Sequence, residues 1–230
     1  MSASTELPQG DAKVKAVDEM FDAIAPRYDL LNRLLTFGMD VGWRRKAVRS
    51  LGLRRGSTVL DVACGTGDLC RELAKQGYRP VGVDRSAGML AAQRTTAPLV
   101  RGDALRLPFP ANSVDGVVCG FALRNFASLK PFLAECARVL RPGGRVALLE
   151  VSEPDNAVLR WGHGVYFGRV VPLVGGLLSD RDAYRYLPKS VAYLPPPNRM
   201  VAMLSEAGFG AAARKPLSTG ISQLLTGTRR

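Results

Sequence analysis

The chain has one histidine, His163. A His-based zinc site or a Ser-His-Asp triad would have to be built on that residue, and nothing near it in sequence supports either. The expectation for metals is none. Cysteine is scarce too: Cys64, Cys70, Cys119 and Cys136 form no CxxC pair and no secreted disulfide framework. They read as reduced thiols filling small core positions. No apolar run reaches the roughly 18–20 residues that cross a bilayer. The opening MSASTELPQGDAKVKAVDEMF lacks the continuous apolar segment of a signal peptide. A cytoplasmic protein is expected. Internal repeats and low-complexity tracts are absent. Acid is the minority charge, with 20 Asp and Glu against 32 Lys and Arg, a formal net charge of +12. That excess suits nucleic acid, an anionic membrane surface or phosphorylated substrates. It equally suits Arg-rich solvated faces that follow from an Ala-, Gly-, Arg- and Val-rich composition.

What is present is enough apolar material, 47% of 230 residues, for one sizeable core with a small appendage. Residues 1–10 read as a disordered leader and 11–230 as one domain. Val14, Val17, Phe21 and Ile24 recur at helical spacing. Pro26 interrupts, and a helix, turn and helix follow up to the punctuation at Gly52 and Gly56, so residues 11–56 form a helical cap. Residues 57–152 alternate strand and helix. Strands are expected at 57–63, 80–84, 98–101, 114–120 and 145–151, with helices at 68–76, 87–94 and after Ser128 up to Pro142-Gly143-Gly144. That order implies a mainly parallel sheet covered on both faces. Residues 153–197, rich in aromatic, Gly and Pro residues, read as a helical lid. A last helix at 198–207 and two antiparallel strands within 210–228 close the chain.

The chemistry concentrates where the strand carrying Asp61 runs into Ala63-Cys64-Gly65-Thr66-Gly67-Asp68 and then a helix. Two glycines permit a tight turn and close approach of a ligand to the backbone. The dinucleotide fingerprint GxGxxG is incomplete, because its third glycine position holds Cys70. Asp84 ends the second strand, where a carboxylate can accept hydrogen bonds from both hydroxyls of a ribose. Asp103 follows the third strand in RGDALRLPFP. Acidic groups around the turn make a poor pyrophosphate site and suit a cation. S-adenosylmethionine carries a sulfonium, a ribose diol and an adenine, and no phosphate.

This ordered set resembles the class I S-adenosylmethionine-dependent methyltransferases. The segments FDAIAPRYDLLNRLLTFGMDVGWRR (21–45), GFALRNF (120–126), RVLRPGGRVALLEVSEP (138–154) and SDRDAYRYLPKSV (179–191) resemble the ubiquinone/menaquinone biosynthesis C-methyltransferases. The resemblance implies a Rossmann-like α/β fold with a seven-stranded, mainly parallel sheet and helices on both faces. It implies S-adenosylmethionine as cofactor, held by Thr66, Asp84, Asp103, Ala104 and Gly120, with Gly65 and Gly67 in the same turn and Asp61 and Arg85 beside it. The implied reaction is methylation of a ring carbon of a polyprenylated quinol. The naphthoquinol branch is favoured by the compact, Arg/Ala/Gly-rich chain and by the lack of an import extension. A ubiquinone-pathway benzoquinol is the alternative. Three departures stand out: Asp40 where many relatives carry His, Gly120 where many carry Ser, and Ala122 where many carry Gly. Only backbone can meet a ligand at Gly120.

A sulfonium methyl needs an electron-rich carbon behind it, which a reduced, deprotonated quinol provides and a quinone does not. Arg124, after the fourth strand, is expected to hold the quinolate oxygen, with Tyr28 and Asn125 orienting the ring or a water. The apolar, aromatic stretch 161–178 and Arg44, Arg45, Lys46, Arg49, Arg54 and Arg55 are expected to meet anionic headgroups at the inner face of the cell membrane. A homodimer is carried as a further partner. Nucleic acid is set aside, because neither a [DN]PP[YFW] segment after the fourth strand nor a Pro-Cys nucleophile is present.

Overall fold

The computed structural model describes residues 10–154, 156–170 and 190–230. Helix α1 (Gly10–Ile24) leads through a 3-10 turn (Ala25–Arg27) into α2 (Tyr28–Leu35) and α3 (Met39–Ser50). Then come β1 (Thr58–Val62), α4 (Asp68–Lys75), β2 (Arg79–Asp84), α5 (Ala87–Ala91), β3 (Leu99–Arg101) and β4 (Val114–Gly120). A 3-10 turn (Leu123–Asn125), α6 (Leu129–Val139), β5 (Leu140–Val151) and α7 (Ala157–Val165) follow. α8 (Pro197–Glu206), β6 (Phe209–Leu217) and β7 (Ser222–Arg229) end the chain. The Pro142-Gly143-Gly144 stop expected after α6 lies within β5. There the pairing of β4 with β5 slips between Val114 and Gly116, which absorbs the extra residues as an irregularity. Of the expected leader, residues 1–9 lie outside the described residues, and α1 begins at Gly10. Residues 171–189 of the expected lid, with the YRYL segment, also lie outside them, while α7 supplies a helix in its first part.

The seven strands run in the order β3-β2-β1-β4-β5-β7-β6. β1 to β5 pair in parallel, and β7 runs antiparallel to both β5 and β6. Alternate residues of each central strand enter opposite cores, so both faces must be apolar. Leu60, Val117, Cys119 and Leu148 face one core with Phe132 of α6 and Leu204 of α8. Val59, Val118, Ala147 and Leu149 face the other with Trp43 and Val48 of α3 and Leu73 of α4. A fully buried side chain such as Phe132 or Leu73 contributes about 1.5–3 kcal/mol over leaving it in water. All four cysteines are free and buried, and burial raises each thiol's pKa above the ordinary range, so they stay protonated packing groups.

The chain reverses its direction of progress across the sheet between β1 and β4. Crossovers therefore leave in opposite directions from that point, and a crevice opens beyond the strands' carboxyl ends. A third small cluster, Ile24, Ala25, Leu31 and Met89, packs α1 and α2 onto α5 beside that crevice.

Candidate active site

Two cavities meet beyond the carboxyl edge of β1 and β4. The first is lined by the β1 turn, the ends of β2 and β3, and one face of α1. Asp61 sits at its floor. Its Oδ2 accepts from the Cys70 amide at 3.1 Å and the Cys70 thiol at 3.3 Å, while Oδ1 is buried with no hydrogen-bond partner. Burial, reinforced by the Asp84 charge, lifts the Asp61 carboxyl to about 7. Asp84 closes the glycine turn by accepting from the Gly65 amide at 2.7 Å and the Ser86 amide at 2.9 Å. Burial raises its pKa as well. Thr66 donates to Asp29 at 2.6 Å, which fastens the turn to α2. Asp103 accepts from the Leu105 amide at 2.8 Å, and Ala104 forms buried wall beside it.

Eight of the nine residues expected around the cofactor line this cavity: Asp61, Gly65, Thr66, Asp84, Arg85, Asp103, Ala104 and Gly120. Two readings change. Gly67 is not in the wall. Its φ is +90°, and a Cβ there would lie 2.4 Å from the Thr95 methyl, so the missing side chain accommodates the protein and not a ligand. Arg85 ion-pairs with Asp18 of α1 at 2.9 Å and with Asp103 at 3.3 Å, so it ties α1 to the cavity rim. Five carboxylates (Asp18, Asp61, Asp68, Asp84 and Asp103) and two guanidiniums (Arg44 and Arg85) face the cavity among the described residues. Asp68, in the first turn of α4, pairs with Arg44 at 3.3 Å. An acidic side chain thus already occupies the helix amino end where a phosphate would otherwise dock.

The second cavity is larger, about 380 Å³ against about 130 Å³, and mostly apolar. Its walls come from α1, α2, α3 and α7, with Ile24, Leu35, Trp43, Val158 and Tyr166 among them. Phe21, Tyr28, Arg44 and Phe121 line both cavities. Phe121 holds φ at +60°, which costs a residue with a side chain on the order of 1–3 kcal/mol. Its amide donates to Leu149 at 2.7 Å and its carbonyl accepts from Arg124 at 2.9 Å, and these bonds hold the strained backbone in place.

The three expected catalytic residues divide between the cavities. Asn125 faces the first, Arg124 the second and Tyr28 both. Tyr28 is enclosed, and burial raises its pKa, so it is a neutral phenol at ordinary pH. Arg124 is 5% exposed and already engaged: it ion-pairs with fully buried Glu150 and donates to Ser190 Oγ at 3.1 Å. Sequence reasoning did not find Glu150, Asp29 or the lining role of Val14, Val17 and Asp18 on α1. The α1 periodicity was visible, but what it covers depends on the packing of distant segments.

The expected basic membrane patch is only partly formed: Arg45, Lys46 and Arg49 are exposed on α3. Arg44 is buried between Asp40 and Asp68. Arg54 and Arg55 precede β1 at the amino edge of the sheet, opposite both cavities.

The donor set fits S-adenosylmethionine. The cavity offers an unpartnered buried carboxylate oxygen for an ammonium, an acid at the end of β2 for a ribose and an apolar wall for an adenine. Comparison with known proteins agrees. The profile of the ubiE/COQ5 methyltransferase family matches residues 9–229. The demethylmenaquinone methyltransferase of Deinococcus radiodurans is 41% identical, covering 100% of both chains. That of Thermus thermophilus is 43% identical over 91% of this chain and 100% of its own. The ubiquinone/menaquinone biosynthesis C-methyltransferase UbiE of Geobacter sulfurreducens is 40% identical over 94% of this chain and 90% of its own. Among solved structures, a Thermotoga maritima S-adenosylmethionine-dependent methyltransferase superposes with a TM-score of 0.66 at 16% identity, over 92% of this chain and 99% of its own. The [4+2]-cyclase SpnF superposes with 0.68 at 16%, over 100% and 99%. At those identities the likeness establishes the fold, which is shared by different chemistries. The family assignment rests on the full-length relatives: this chain belongs to the ubiE/COQ5 methyltransferase family and is a methyltransferase.

Proposed function

We propose that this chain transfers a methyl group from S-adenosylmethionine to a ring carbon of demethylmenaquinol, giving menaquinol. One observation carries the reading: a polar, acid-rimmed cavity and a larger apolar cavity share a wall, and Tyr28 faces both. Asp84 would hold the ribose diol, Asp103 and Ala104 would hold the adenine, and Asp61 Oδ1 with Arg44 would hold the ammonium and carboxylate. When bound, this cofactor supplies an electrophilic methyl group on a sulfonium. Everything else falls to the protein. Val14 and Val17 of α1 exclude water from the first cavity, and Phe21 from the space shared by both. The apolar cavity takes the naphthoquinol ring and the start of its prenyl tail. The neutral Tyr28 phenol would donate a hydrogen bond to the quinol oxygen and so favour the form that has lost its proton to solvent. As the methyl arrives, that charge flows onto the ring carbon, and the resulting ketone returns to a quinol by moving the ring proton to the oxygen. Arg124 gives that cavity a cationic edge, tempered by Glu150, and holds the Phe121 carbonyl in place. Asn125 orients the reacting groups from the cofactor side. Alignment of ring carbon and methyl group supplies about 7 kcal/mol or more of the acceleration.

A prenylated substrate is met at a membrane. No helix among the described residues is long and apolar enough to cross one. We place the chain peripherally, at an anionic inner membrane face.

The test is incubation with methyl-labelled S-adenosylmethionine and a panel of demethylmenaquinol, a benzoquinol precursor and RNA, each with and without reductant. Label should enter the naphthoquinol, and only when it is reduced. Equal labelling of the oxidised quinone would refute the quinol mechanism. Preferential labelling of the benzoquinol or RNA would refute the substrate.

A further inference from the structure

Large apolar side chains are rarely left in water without a use when they lie together. Of the eight large hydrophobics that are exposed among the described residues, seven belong to α2, the turn after it, and α7: Leu30, Leu34, Phe37, Val158, Leu159, Trp161 and Val165. Their spacing makes two stripes. Leu30 and Leu34 lie one turn apart on α2 with Phe37 in the turn after it, and Val158, Trp161 and Val165 follow i, i+3, i+7 on one face of α7. The two elements are joined: Tyr166 donates to the Leu35 carbonyl at 2.8 Å, and its ring centroid lies 5.8 Å from that of Phe37. Between the stripes lies the apolar cavity, with Phe37, Val158 and Leu159 in its walls.

The exposed charge on the two segments that carry these stripes has one sign. Residues 25–39 and 156–170 carry Arg27, Arg33, Arg160 and Arg169, and their one acidic side chain, Asp29, is buried against Thr66. Arg27, Arg160 and Arg169 are exposed.

We propose that the α2 and α7 stripes form a docking surface for an anionic lipid bilayer, seated so that the apolar cavity opens toward the acyl chains. The proposal rests on the quinol reading of that cavity and gives it an orientation. An apolar face flanked by Arg matches an interface of acyl chains below and anionic headgroups above. A second copy fits less well. A two-fold contact would bring the same basic segments together, and like charges oppose association. The stripes also place the surface beside the cavity, and so at the carboxyl edge of the sheet. Arg54 and Arg55 lie at the other edge.

Trp161 is a natural reporter, because it is 74% exposed while the other tryptophan, Trp43, is 4% exposed and bonded to Ser218. The full chain is titrated with vesicles of equal parts phosphatidylglycerol and phosphatidylcholine, with phosphatidylcholine vesicles alone, and with the same lipids brominated along the acyl chain. Anionic vesicles should shift Trp161 emission to the blue, brominated lipid should quench it, and neutral vesicles should do much less. Leu30→Gln with Leu34→Gln, two exposed positions outside both cavities, should weaken vesicle binding by about tenfold. It should slow methylation of long-tailed quinol in vesicles and leave turnover of a short-tailed, soluble quinol unchanged. Absent emission change with anionic vesicles, or unaltered binding by the double variant, overturns the docking surface. Lipid-free association that buries Trp161 would give the surface to a second copy, and RNA competing for the same shift would give it to nucleic acid. Either outcome overturns the proposal. Failure of the parent chain to methylate soluble quinol while still binding vesicles would instead overturn the substrate reading.

Discussion

Near pH 7 about half of the chains carry Asp61 as a neutral acid, because burial lifts its carboxyl to about 7. The ionised form is the one that attracts an ammonium, and the buried Oδ1 has no partner to satisfy it otherwise. Cofactor binding should therefore strengthen as pH rises through the lower limb. The ionised fraction is about 9% at pH 6 and about 50% at pH 7, so the dissociation constant should fall about fivefold across that unit. Above about pH 8 the α-amino group of the ligand itself loses its proton, and affinity should fall again. The profile is a bell whose acid limb belongs to the protein and whose alkaline limb belongs to the ligand. Linkage gives a second reading of the same event: binding at pH 6 should release about 0.9 proton. Calorimetric titration with S-adenosylhomocysteine, which keeps the ammonium, measures both quantities when repeated in two buffers of different ionisation enthalpy. Asp61→Asn should flatten the acid limb, abolish the proton release and weaken binding about tenfold or more at pH 7. A flat profile between pH 6 and 7 in the parent chain, or an acid limb that survives the substitution, would refute the assignment of Asp61 to the ammonium.

Two further outcomes separate chemistry from architecture. Tyr28→Phe removes one hydroxyl at the wall between the cavities and should lower kcat by about 10–100-fold while leaving the cofactor Kd within about twofold, measured by single-turnover kinetics and calorimetry. An equal loss in both would make Tyr28 a wall residue and not a donor. Arg124→Ala removes the ion-pair partner of buried Glu150, at a cost of about 3–5 kcal/mol, so the thermal midpoint should drop on the order of 10 °C, with part of the loss recovered by adding Glu150→Gln. A midpoint within about 2 °C of the parent would show that the pair is not a structural anchor.

The parallel core was legible because both faces of its strands are buried, so VLDV and VALLEV read as apolar runs broken only by Asp61 and Glu150. The cofactor cavity was legible because Gly65, Asp84 and Asp103 sit at successive strand ends, and the topology gathers such ends at one edge. Contacts that depend on the packing of distant segments were not legible. Asp29 meets Thr66 across 37 positions, and Lys13 donates to the Phe126 carbonyl across 113. Nothing local distinguishes those side chains from solvated ones. Gly67 illustrates a subtler limit: sequence shows that a glycine is needed, but only the position of Thr95 shows for what. Arg44 was read with its basic neighbours as surface. Its burial follows from two acids, Asp40 and Asp68, on different helices.

Tyr28 and Asp29 are consecutive residues with different attachments. One faces both cavities, and the other is bonded to the glycine turn through Thr66. A displacement of the turn by an arriving cofactor would therefore be passed, over a single peptide unit, to the side chain proposed above to meet the quinol. On the proposed function the two ligands would in this way be thermodynamically coupled within one small fold. Whatever factor the cofactor adds to quinol affinity, the quinol must return to cofactor affinity, so the order of arrival alters the kinetics but not the stability of the ternary complex.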